Sequence, residues 1–151
     1  MMANDEQLRD ELRELAGQPR GRELLQLALR GLQVDERPLT AGCWVRGGVA
    51  GCLFQHAYWQ GVREGVFDDQ GSSRDWVSAY AGEDSYWNVI RTIAAFDDVA
   101  RSDFLRGPAR WLPVRRHALR SDDWRRHVES LLVDALDRSG ADRSPAVTAG
   151  D

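Results

Sequence analysis

Residues 40–67 read TAGCWVRGGVAGCLFQHAYWQGVREGVF, and the way this stretch folds decides the architecture of the chain. It holds both cysteines, one of the three histidines and two of the six tryptophans. At its centre Gly47-Gly48 separates two short apolar runs. Gly-Gly supplies the positive φ values of a two-residue turn, so the stretch reads as a small β-hairpin at about 41–54. In that register Trp44 faces Gly51 and Cys43 faces Cys52. The cysteine pair falls at a non-hydrogen-bonded position, where Cα atoms approach to about 4.5 Å, the short end of what a disulfide tolerates. His56 follows four residues after Cys52 at the start of a helix, so two sulfurs and an imidazole converge. Short apolar runs fit either state, and a buried helix from Ala50 is the competing reading. Buried cysteines acting as small hydrophobes are the plain alternative to a thiol site.

On the C-terminal side of the hairpin the pattern predicts a helix from Phe54 or Gln55 to Val66, burying Leu53, Ala57, Tyr58, Val62 and Val66. Asp68-Asp69-Gln70-Gly71-Ser72-Ser73 is the clearest loop. A short helix over Arg74–Tyr80 buries Trp76, Val77 and Tyr80, and Gly82 closes it. A central core helix over Asp84–Arg101 follows, with Trp87, Ile90, Ala94 and Val99 on its buried side and Ile93 and Phe96 widening the face. Asp97-Asp98 sits near its C-terminal end, where the helix dipole disfavours negative charge, and so calls for a cationic partner such as Arg101 or a bound cation. The stretch 102–120 is irregular, broken by Gly107-Pro108 and Pro113. Ser121 caps a last helix with the stripe Trp124, Val128, Leu131, Leu132, Ala135 and Leu136. From Ser139 the composition turns to Ser, Gly, Ala, Pro and Asp, which predicts a disordered tail over 139–151.

On the N-terminal side, Leu8, Leu12 and Leu15 form one helical stripe that ends at Gly17 and Pro19. A second helix over Gly21–Leu32 carries a wider leucine stripe, and Val34–Thr40 is an extended connector set by Pro38. The fold expected is mainly α: a single-domain helical bundle over 1–138 with one small β-hairpin between its helices.

The chain has 151 residues, 42% hydrophobic and 29% charged, in the range of one soluble globular domain. No apolar run of eighteen or more residues spans a membrane, and MMANDEQLRDEL lacks the pattern of a secretory signal. Cytoplasmic residence is therefore expected, with thiols favoured over a permanent disulfide. All 20 basic residues are arginine, which reads as the codon bias of a GC-rich bacterial genome. The net charge of −4 is uneven. Arg101 to His127 holds eight arginines against Asp103, Asp122 and Asp123, a local balance of +5 that leaves −9 elsewhere.

Phosphate-binding loops, nucleophile elbows, zincin helices and CxxC pairs are missing from the sequence. Two readings remain. The first is a non-catalytic binding or regulatory domain whose arginine- and tryptophan-rich region, Arg110, Trp111, Arg115, Arg116 and Arg120, docks an acidic protein or small acidic ligand. Nucleic acid is disfavoured by a sequence pI of about 5.4. The second is a thiol site, for redox sensing, zinc or cysteine-based catalysis, built on Cys43, Cys52 and His56. Zinc would need a fourth ligand from His117, His127 or a carboxylate. Beside it Trp44, Phe54, His56, Tyr58 and Trp59 are candidates to line a ligand pocket. No other cofactor is expected, and the assembly state covers a monomer or a homodimer.

Overall fold

The computed structural model describes residues 3–40, 51–100 and 122–149, with side chains described over 5–40, 51–100 and 123–138. Five helices form most of the described residues: α1 (Ala3–Ala16), α2 (Pro19–Val34), α3 (Leu53–Arg63), α4 (Ser73–Val99) and α5 (Asp122–Ala149). α2 packs most extensively on α3, and α1 on α4, while α5 lies against both α1 and α2.

The leucine stripes define this arrangement. Leu8, Leu12 and Leu15 of α1 are fully buried, as are Leu24 and Leu25 of α2. In α5 all six expected stripe residues, from Trp124 to Leu136, are buried. Each stripe is one wide face of a 3.6-residue period, so each helix has one side that must be covered by its neighbours. Pro19 opens α2 at its first position instead of merely closing α1, because a missing N–H costs nothing there and its fixed φ suits the helix. Arg9 and Arg13 of α1 reach Asp134 of α5 and tie the outer edge of that contact. Gly31 lets α2 approach α3 tightly: a Cβ there would sit 2.8 Å from the His56 carbonyl oxygen.

The hairpin expected at 41–54 is corrected at its C-terminal end. Leu53 and Phe54 belong to α3, and residues 41–50 lie outside the described residues. Gly51 forms a parallel bridge with Leu39. Its carbonyl accepts from the Thr40 N–H at 2.8 Å and its N–H donates to the Pro38 carbonyl at 3.1 Å. Both backbone groups that the hairpin register commits to Trp44 are thus engaged by the 38–40 connector.

α3 ends three residues before Val66. Gly65 takes φ 78, which lets the Val66 N–H return to the Gly61 carbonyl at 2.7 Å and the Gly65 N–H to that of Val62 at 3.2 Å. This left-handed cap satisfies carbonyls that would otherwise be left open. Val66 is therefore outside the helix and 41% exposed.

α4 is two helical segments joined at Gly82, whose φ 73 and ψ 179 break the helical backbone. Only glycine adopts that combination readily. Beyond the kink the buried face is Ser85, Asn88, Val89, Thr92, Ala95, Phe96 and Val99. The stripe expected from Trp87, Ile90 and Ala94 is corrected: Trp87 is 64% exposed, Ala94 is exposed and Ile90 is half-buried. Each polar member of the true face donates a hydrogen bond, which lowers the penalty for burying it. Asn88 Nδ2 donates to the Glu11 carbonyl and carboxylate at 3.1 and 2.9 Å. Thr92 Oγ1 donates to the Asn88 carbonyl at 2.7 Å, and Ser85 bonds Gln18. Trp76, expected to be buried, is 38% exposed and donates its indole N–H to the Gln70 carbonyl.

α5 continues as backbone helix to Ala149, across the stretch where composition suggests a tail. Extending an existing helix adds one hydrogen bond for each residue fixed, so growth is far easier than nucleation. Among the described residues no helix is long and apolar enough to cross a membrane.

Candidate functional site

The residues singled out around His56 gather where α2 ends and α3 begins. Asp35 caps α2, its N–H bonded to the Gly31 carbonyl. A carboxylate at a helix C-terminus faces the negative end of the dipole, and three arginines compensate. Arg37 wraps the carboxylate with its own N–H at 2.9 Å and its guanidinium at 2.6–3.1 Å. Arg63 reaches the same carboxylate from α3. Arg125 crosses from α5 and donates to the carbonyls of Leu32, Asp35 and Arg37. Burial pushes the Asp35 carboxyl pKa up, but the hydrogen bonds from Arg37 and Arg63 more than offset it and hold the group well below the usual range.

His56 lies beside this cluster with no exposed surface. Its Nε2 sits 3.3 Å from the Pro38 carbonyl and donates to it. Burial pulls its pKa down to about 4, against the opposing pull of the Pro38 carbonyl and of Asp35. The imidazole is therefore neutral at pH 7. Trp59 meets the His56 ring edge-on at 5.1 Å, and the Arg37 guanidinium lies 3.3 Å above the Trp59 ring. Phe54 and Tyr58 are buried on the same helix. Tyr58 stacks on Phe67 at 5.8 Å and donates its hydroxyl to the Asp68 carbonyl at 2.6 Å.

Four of the five candidate pocket residues are thus neighbours along α3, with Phe54, His56 and Tyr58 buried and Trp59 half-buried. Trp44 and Cys43 lie outside the described residues, and Cys52 is 2% exposed at the N-cap of α3. Among the described residues no three His, Cys, Asp or Glu side chains gather closely enough to hold a metal ion. Arg110, Trp111, Arg115, Arg116 and Arg120 also lie outside the described residues. The described end of that stretch is engaged within the chain: Arg125 as above, Arg126 on Asp123, and His127 Nε2 2.7 Å from Asp5 of α1.

The sequence reading missed a different place, the open side of the Gly82 kink. Turning the backbone at Gly82 leaves a concavity of about 500 Å³ lined by Ser78 and Ala79 from the first segment of α4 and by Gly82, Glu83, Tyr86 and Trp87. The concavity is shallow, more open to solvent than enclosed. Tyr86 and Trp87 meet edge to face at 5.1 Å and 77°. Glu83 and Asp84 are exposed, and no ion pair joins either among the described residues.

Both walls are held from behind. Tyr80 of the first segment bonds Glu23 of α2, while Asn88 and Arg91 of the second are fixed to Glu11 of α1. The concavity is therefore formed before anything enters it. It offers two aromatic rings, a hydroxyl and a carboxylate, groups suited to holding a side chain or an organic cation. The sequence signal for it was Gly82 followed closely by adjacent Tyr86 and Trp87.

No protein-family model matches the chain, and no curated protein or solved structure is similar to it.

Proposed function

We propose that the protein is a non-catalytic binding domain that docks a protein partner on the concave face at the Gly82 kink. The observation that carries this reading is Trp87, a large apolar ring 64% exposed on the wall of a concavity whose backing is fixed by α1 and α2. Tryptophan buries about 150–250 Å² when fully covered. Covering the exposed part removes on the order of 100–150 Å² from water, worth about 3 kcal/mol at about 25 cal/mol/Å². One such anchor on a prebuilt surface is the usual centre of a protein-binding patch.

The arginine-rich stretch remains a second reading, as a docking element for an acidic partner, favoured by the local balance of +5 between Arg101 and His127. With Arg125 and His127 engaged inside the chain, it rests on Arg110, Trp111, Arg115, Arg116 and Arg120. The thiol-site alternative draws no support from the buried settings of Cys52 and His56.

A peptide-display selection against the full chain, counter-selected on Trp87→Ser, tests the docking face. The proposal expects convergence on sequences whose affinity falls about a hundredfold in Trp87→Ser, the equivalent of about 3 kcal/mol. Binders indifferent to Trp87→Ser would refute it.

A further inference from the structure

Resting on the docking face described above, we infer that the group it accepts is a guanidinium, presented by a basic segment of the partner. The walls carry two features that one occupant satisfies together. The first is π surface: the Trp87 ring, with the Tyr86 ring at 77° to it and 5.1 Å away. Ring faces attract cations, and tryptophan does so most strongly. The second is uncompensated negative charge. Glu83 lines the concavity and Asp84 adjoins it, both exposed and without an ion pair among the described residues.

The neighbouring charges do not neutralise them. Arg91, one turn beyond Trp87, is engaged by Glu11 and Glu14. Arg20 lies over Tyr80 and pairs with Glu23. Arg74 is exposed on the first turn of α4, two turns before Gly82. Glu83 and Asp84 open the second helical segment, where the dipole favours acidic side chains, and that accounts for their presence. It does not account for a tryptophan held out in water one turn away.

A neutral apolar occupant would cover Trp87 but leave the Glu83 carboxylate desolvated without a partner, which carries a penalty. A guanidinium lies flat on an indole and offers a fork of donors to a carboxylate at the same time, which an ammonium cannot do. The chain itself already contains this pairing: Arg37 sits 3.3 Å over Trp59 while its guanidinium grips Asp35. At the kink, the aromatic ring and the carboxylate are present and the arginine is to come from outside.

The test compares two dye-labelled, end-blocked peptides, Gly-Arg-Leu-Arg-Gly and the same sequence with citrulline for arginine, by fluorescence anisotropy against the full chain. Citrulline keeps the shape and removes the charge. The arginine peptide is expected to bind about tenfold or more tightly than its neutral twin, from ring and carboxylate together. The ratio should shrink in Glu83→Gln and with added salt, and binding should be lost in Trp87→Ala. Trp87 is exposed, so an unchanged melting curve verifies that the Trp87→Ala variant is folded. Equal binding of the two peptides overturns the guanidinium inference and leaves the docking face standing. No saturable binding of either peptide up to millimolar concentration also overturns it, and the docking face is then judged by the display selection alone.

Discussion

Replacing Gly82 by alanine probes the feature that creates the concavity. Gly82 holds φ 73 and ψ 179, and a Cβ added there meets no atom within 4 Å. Sterics with neighbours therefore contribute nothing, and the whole effect is backbone conformation. An L-residue in that region costs about 1–3 kcal/mol. Alanine restricts the unfolded chain and returns about 0.4–1 kcal/mol. The net destabilisation is about 1–2 kcal/mol, or a fall in Tm of roughly 2–8 °C for a chain of this size. Thermal and urea unfolding followed by circular dichroism measure it. Gly17→Ala is the control, because Gly17 lacks a left-handed φ and its added Cβ makes only ordinary contacts; it should be neutral or mildly stabilising. A D-alanine at position 82 reverses the stereochemistry and should stabilise by up to about 1 kcal/mol. A Gly82→Ala protein as stable as the wild type would refute the reasoning, because it would mean that α4 runs straight through this point.

The buried imidazole predicts a pH dependence. His56 titrates at about 4 in the folded chain against about 6.5 unfolded, so the unfolded state binds more protons between these values. Stability should fall as pH drops through that window, by about 3 kcal/mol in all, and an imidazole C–H titration by NMR midway near 6.5 would contradict it. Arg125→Leu leaves the carbonyls of Leu32, Asp35 and Arg37 without their common donor. A loss of about 2–4 kcal/mol is expected in urea unfolding, and Arg125→Lys should recover only part of it, since one ammonium cannot span all three. A change under 0.5 kcal/mol would rule out the clamp. Gly31→Val pushes side-chain atoms against the His56 carbonyl, 2.8 Å from the Cβ position. It should destabilise by more than 1 kcal/mol, whereas unchanged stability would show that α2 and α3 are farther apart.

The outer helices were legible because their stripes are unambiguous. Leu8, Leu12 and Leu15 in α1 and the six stripe residues of α5 are apolar on one face and charged on the other, so the burial pattern follows directly. Gly82 was also legible as a break, though as the end of one helix and not as a kink joining two segments. The second segment of α4 followed the periodicity rule only in part: Phe96 and Val99 are buried as expected, and Trp87 and Ala94 are not. Its buried face includes Ser85 and Asn88, whose partners on the connector to α2 and on α1 are remote in sequence, and Thr92, which bonds the Asn88 carbonyl one turn back. Polarity then points the wrong way, and the apolar Trp87 is assigned to the core it does not enter.

The same limit governs the connector before α3. Gly47-Gly48 favours a hairpin locally, but Gly51 is bonded to Pro38 and Thr40 in a parallel bridge that no short-range rule anticipates. His56 was singled out for its spacing from Cys52, and its environment explains the spacing differently. The ring packs between Trp59 and the Pro38 carbonyl, at the point where Gly31 lets α2 approach α3. The acidic rim at Glu83 and Asp84 could be seen in the sequence, but only the kink reveals that Tyr86 and Trp87 share a concavity with it.

The most direct test of the docking face is chemical-shift mapping of the isotope-labelled full chain titrated with a peptide recovered from the display selection. The account predicts perturbations centred on Ser78, Ala79, Gly82, Glu83 and Tyr86 and on the Trp87 indole N–H, with the buried Trp124 indole unmoved. Shifts centred on Arg110–Arg120, with the kink silent, would contradict it and return the binding surface to the arginine-rich stretch.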